Sequence, residues 1–176
     1  MKTVPSIQTV EATLKNELES VKDSMIKFIK VANENPQDMG TQILELKHFR
    51  SRSYESLNQI QHEWLLVNAL KWLNLEHNIP LDGHNCNIIE WNPRQTGSGD
   101  EPDIRIINKE TGLEINCEAS TSETPIGVID KRIDNHLKTL SKLNGTKYYF
   151  VLTQKMKQRA ETKINKNGWD ISVVLL

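Results

Sequence analysis

Pro102-Asp103-Ile104-Arg105-Ile106-Ile107-Asn108-Lys109-Glu110-Thr111-Gly112-Leu113-Glu114-Ile115-Asn116-Cys117-Glu118-Ala119-Ser120 alternates apolar and polar residues in two arms. Ile104 and Ile106 alternate with Asp103 and Arg105; Leu113, Ile115, Cys117 and Ala119 alternate with Glu114, Asn116, Glu118 and Ser120. A period of two over both arms predicts two strands, each with one apolar and one polar face. Between them Asn108 to Gly112 carries turn residues, and Gly112 can take a left-handed position without steric cost. With Lys109–Gly112 as the loop, Asn108 faces Leu113, Ile104 faces Cys117 and Asp103 faces Glu118. A slip of one residue would mix the faces, so the pattern selects this register. Two carboxylates then stand side by side, which is destabilising unless a cation lies between them. A divalent metal is the simplest such cation.

The chain is long enough for one domain with a substantial core. Its 176 residues are 37% hydrophobic and 26% charged, which suits a soluble domain. No run of 18 apolar residues predicts a membrane span. The N-terminal Met-Lys-Thr-Val-Pro lacks the apolar core of a signal peptide. Two cysteines, Cys86 and Cys117, make no disulfide framework, so a reduced, cytoplasmic protein is expected. The net charge of −1 is uneven: residues 127–176 hold 10 Lys+Arg against 4 Asp+Glu, a balance of +6. Such a basic third suits phosphate contacts, and equally suits the solvated face of amphipathic helices.

Apolar residues three or four apart predict a helix from Ser6 to about Asn33, then a break over residues 33–40 and a short helical piece at Thr41–Phe49. Residues 1–50 are read as an N-terminal helical arm, for packing, dimerisation or target recognition. A second long helix is expected from Ser53, as N-cap, to about His77. Residues 51–176 form the α/β domain. Glu63, leading into an apolar stripe, is a carboxylate that needs a partner. A strand at Cys86–Trp91 precedes the hairpin, and a helix at about Ile126–Leu143 follows it. Then come a strand at Lys147–Thr153, a basic helix at Gln154–Asn167 and a last strand at Trp169–Leu176. A hairpin followed by a crossover helix and another strand gives a central mixed sheet in a three-layer α/β/α domain.

Pro102-Asp103, a hairpin, then Glu118 followed two residues later by a polar side chain resembles the signature of the PD-(D/E)xK nucleases, the restriction-endonuclease-like superfamily. The element order over residues 53–176 is similar to that superfamily's αβββαβ core. One position departs: Ser120 stands where the family carries lysine. The resemblance implies a Mg²⁺-dependent endonuclease (Mn²⁺ also serving) on double-stranded DNA, of restriction or defence type, acting as a homodimer. The alternative is a catalytically weak or inactive module that binds nucleic acid. It further implies Asp103, Glu118 and the Ala119 carbonyl as metal ligands, with Glu63 a further acid from the helix. Mg²⁺ prefers such hard oxygens. Lys131 is expected to stand in for the lysine missing at Ser120, with Arg105 its rival. Arg94 and Gln95, in the glycine-containing loop before Asp103, together with Arg105, Arg132, Lys138, Lys155, Lys157 and Arg159, are the candidate nucleic-acid contacts. His62 is read as a surface histidine, Cys117 as core, and Ser120, Ser122 and His136 as forming no triad.

Overall fold

In a computed structural model, residues 2–3, 6–34, 38–80, 87–93 and 101–176 are described. They form β1 (Lys2–Thr3), α1 (Ile7–Glu34), α2 (Met39–His77), β2 (Asn87–Trp91), β3 (Ile104–Asn108), β4 (Glu114–Ser120), α3 (Val128–Ser141), β5 (Thr146–Val151), α4 (Gln154–Asn167) and β6 (Ser172–Leu175). The six strands form one mixed sheet in chain order. β1 to β4 pair antiparallel, and β4, β5 and β6 run parallel. Antiparallel neighbours accept short loops, whereas parallel ones need crossovers, which α3 and α4 provide.

The hairpin has the expected register: Ile104 pairs with Cys117 and Ile106 with Ile115. Asn108 and Leu113 close the loop, with the Asn108 N–H donating to the Leu113 carbonyl at 2.8 Å. Gly112 sits at φ 71°. Gly145, at φ 70°, ends the α3 crossover, and a Cβ there would stand 2.2 Å from the Glu114 carbonyl oxygen.

The sheet separates two cores. Ile104, Ile106, Ile115, Cys117, Tyr148 and Phe150 pack against apolar residues of α1 and α2. Tyr149 and Val151, on the other side of β5, pack with Ile133, Leu137 and Leu140 of α3 and Met156, Ala160 and Ile164 of α4. This alternation along β5 is what a strand covered by helices on both faces requires.

Two features depart from expectation. α2 is one helix of 39 residues, capped by Asp38, whose side chain accepts from Thr41 N–H at 3.2 Å; there is no boundary at Ser53. Ser51 and Ser53 cost a helix only a fraction of a kcal/mol each, about 0.5, and no Gly or Pro interrupts Phe49–Ser53. Lys2–Thr3 adds an edge strand with too short a pattern to read from sequence. The polar face of β4 is buried: Asn116, Glu118 and Ser120 are all under a tenth exposed, with α3 packed on that side. β2, expected over Cys86–Trp91, is described from Asn87; Cys86 lies outside the described residues.

Candidate active site

Asp103 is the last residue before β3, and Glu118 lies near the C-terminal end of β4. Extending the strand register by one step sets them opposite each other, close enough for the Asp103 charge to act on Glu118. Asp103 Oδ2 also accepts the Ala119 N–H at 2.9 Å. This cross-strand bond ties the start of β3 to the end of β4 and holds the acids together. Glu118 is 8% exposed. Burial, then the Asp103 charge, push its carboxyl well above the usual range. Two carboxyl groups this close share a proton unless a cation joins them.

Helices from both faces converge on this pair. From α2, His62 Nε2 comes within 3.2 Å of Asp103 Oδ2. Burial opposes the charge on His62, but the Asp103 carboxylate, with the Pro93 and Ala119 carbonyls, wins and raises its pKa. The next residue, Glu63, is buried and accepts from Gln59 Nε2 at 3.3 Å, and Gln59 also donates to the Pro93 carbonyl at 3.0 Å. From α3, His136 Nδ1 lies 3.3 Å from Glu118 Oε2, but without the alignment of a hydrogen bond. Burial lowers the pKa of His136, helped by the charges of Arg132 and His62 and opposed by Asp103.

Ser120 is buried on the same face. Its neighbour is Tyr149 of β5, which pairs in register with Glu118. The Tyr149 hydroxyl is buried and, although Ser120 is close, has no aligned hydrogen-bond partner among the described residues. The expected stand-in, Lys131, is exposed. At 100° per residue it lies about 140° round α3 from His136. Arg132, four residues before His136, shares that residue's side, and its charge is felt at both His136 and Tyr149.

Other expected residues lie elsewhere. Arg105 is held by Glu114, through Nε at 3.0 Å and Nη2 at 2.8 Å, not by Asp103 or Glu118. Arg159 makes a fork with Asp130 at 2.7 and 3.0 Å, and Lys157 lies 3.9 Å from Glu161. Those two cations therefore already have carboxylate partners. Arg132, Lys138 and Lys155 are exposed on α3 and α4. Arg94 and Gln95 lie outside the described residues. Cys117 is core as expected, its thiol pushed well up by burial and the neighbouring acids.

His62, read from sequence as a surface histidine, is instead largely buried against Asp103; His136, read only as forming no triad, and Tyr149 were not placed at the site. His136 left a trace: it falls within the Ile129, Ile133, Leu137, Leu140 stripe of α3, where a polar side chain must meet something polar.

Hard oxygens from Asp103, Glu118 and the Ala119 carbonyl suit Mg²⁺ in donor type. The imidazole of His62, with its charge favoured, faces two of these groups, which marks the spot as one that prefers positive charge. Among the described residues no three His, Cys, Asp or Glu side chains are gathered to hold a metal by themselves. Two carboxylates, a backbone carbonyl and water would have to suffice, an arrangement common for Mg²⁺. No helix among the described residues is long and apolar enough to cross a membrane. No family model, curated protein or solved structure matches the chain.

Proposed function

We propose that the protein is a Mg²⁺-dependent endonuclease acting on double-stranded DNA, with Asp103 and Glu118 as its metal-binding acids. The observation that carries this reading is their pairing, set by the hairpin register and the Ala119 N–H bond to Asp103. Bound there, Mg²⁺ would supply charge neutralisation and a polarised water for phosphodiester hydrolysis. The chain's own groups do the rest. Asp103 is fixed in place by Ala119 and His62. Glu118 releases its proton when a cation arrives. Arg132, on the His136 side of α3, brings positive charge toward the phosphate. The exposed Lys138 and Lys155 offer backbone contacts to DNA.

Burial of Ser120 against Tyr149 favours a second reading, a related fold that binds nucleic acid with weak or no cleavage, because no cation stands at that position. One experiment separates the two. Supercoiled plasmid is incubated with the protein in Mg²⁺ or in EDTA, beside Asp103→Ala, while binding is followed by gel shift. The endonuclease reading expects nicking or linearisation in Mg²⁺ alone, lost in Asp103→Ala with binding retained. Binding without cleavage in Mg²⁺ or Mn²⁺ would establish the second reading, and neither binding nor cleavage would refute both.

A further inference from the structure

Among the described residues, the outer side of α2 carries a seam that is largely uncovered, with Ile60 partly buried against the core. Residues 39, 43, 46, 50, 53, 57, 60 and 64 follow alternating steps of four and three, the spacing of a coiled-coil interface. They read Met39, Ile43, Leu46, Arg50, Ser53, Leu57, Ile60 and Trp64, six apolar around two polar. Met39 is 76% exposed, Ile43 45%, Leu46 55%, Leu57 39% and Trp64 46%. The buried residues of α2, such as Leu66, Leu70 and Leu73, face α1 and the sheet from the opposite side. α1 lies along that side too, with Phe28 stacked on Phe49 at 4.3 Å between ring centroids. An apolar stripe turned to water over about 39 Å of helix calls for a covering element.

We propose that the cover is α2 of a second copy, running antiparallel about a two-fold axis near residues 51 and 52. A two-fold interface must be self-complementary, so that each contact occurs twice. The seam meets this condition in one register. Met39 faces the second copy's Trp64, Ile43 its Ile60, Leu46 its Leu57, and Arg50 its Ser53. Every apolar position then meets an apolar one, and the polar pair meets itself at the centre. A shift of one heptad either way sets Arg50 against Ile60 or Leu46. A parallel pairing sets Arg50 against Arg50, like charges in the seam. A single polar layer is a known device for fixing register and orientation in coiled coils.

Charge and area are compatible with this. Residues 22–58, the outer reach of the helical pair, hold six Lys+Arg against five Asp+Glu, so two copies meet without strong repulsion. With Met39, Ile43, Leu46, Tyr54, Leu57 and Trp64 each 39–76% exposed, the stripe offers a contiguous, mainly apolar patch on the order of 600 Å² per copy. That is the upper limit of what monomers ordinarily expose. With Arg50 and Ser53 added, it approaches the roughly 800 Å² per partner of a standard interface. This inference does not depend on the proposed nuclease activity.

The test uses the full chain. Light scattering after gel filtration should give twice the monomer mass at micromolar concentration. Leu46→Glu/Leu57→Glu, at exposed positions, should halve that mass while keeping helical content and thermal unfolding. Orientation is read by oxidative cross-linking in a Cys86→Ser background. Leu46→Cys/Leu57→Cys should form an intermolecular disulfide and Leu46→Cys alone should not. A monomer at high concentration would overturn the proposal and leave the seam to a different partner. A dimer that survives the double Glu variant would place the interface elsewhere. Efficient cross-linking by Leu46→Cys alone would overturn the antiparallel register.

Discussion

Replacing Glu118 by Gln should remove a specific pH dependence of stability. The Glu118 carboxyl lies buried against Asp103, and burial first, then the Asp103 charge, raise its pKa well above 4.5. A raised acid binds its proton more tightly in the folded state than in the unfolded one. Its contribution to stability is therefore complete below the unfolded pKa, and is lost as pH rises through the folded pKa. Within that window the loss is about 1.4 kcal/mol per pH unit. For a domain of this size that corresponds to about 3–6 °C in Tm per pH unit. Other groups titrate nearby. His62, with a raised pKa, loses stability in the same direction above pH 6.5, and His136, with a lowered one, gains stability as pH rises toward 6.5. The quantity to measure is thus the difference between Glu118→Gln and wild type, by urea denaturation without metal at half-unit steps upward from pH 4.5. The difference should grow in favour of Gln as pH rises, then level off. Mg²⁺, by binding the ionised pair, should narrow it at neutral pH for wild type alone. Parallel stability curves for the two proteins would refute both the burial of the charge and its coupling to Asp103.

Three further outcomes are expected. Gly145→Ala must accept a positive φ and a Cβ 2.2 Å from a backbone oxygen, so it should lose at least about 1–3 kcal/mol in urea denaturation; a change below about 0.5 kcal/mol would contradict this geometry. Asp130 is held well below the usual carboxylate range by Arg159, then Lys163, so its contribution is present above pH 3.8 and lost as pH falls; Asp130→Asn should therefore flatten the acid limb of the Tm–pH curve, and an unchanged limb would deny the coupling. If cleavage is observed, Arg132→Ala should slow single-turnover cleavage by roughly 10²–10³ and Lys131→Ala by no more than a few-fold, in line with loss of one charge-stabilising group; the reverse order would restore Lys131 as the stand-in for the missing lysine.

Local periodicity carried much of the fold. The alternation in residues 102–120 and the turn ending at Gly112 were enough to set the β3–β4 register and to pair Asp103 with Glu118, because a strand's faces are written two residues apart. The order of helices and strands from residue 87 onward, the Gly168 stop and the core position of Cys117 were legible for the same reason.

What the tertiary structure alone decided involves distant segments or twist. Arg105 has acids on both diagonals, Glu114 and Glu118; the twist of the sheet brings Glu114 to it and leaves Glu118 to His136. His62 and His136 are 74 residues apart and meet one carboxylate pair only because α2 and α3 pack on opposite faces of the sheet at its Asp103–Glu118 end. Packing α3 over the polar face of β4 buries Asn116, Glu118 and Ser120. That burial raises the Glu118 pKa and leaves the Tyr149 hydroxyl without an aligned partner among the described residues. The 4–3 seam of α2 was present in the sequence from the start, but only the structure showed that α1 and the sheet cover the other side and leave most of this one exposed among the described residues.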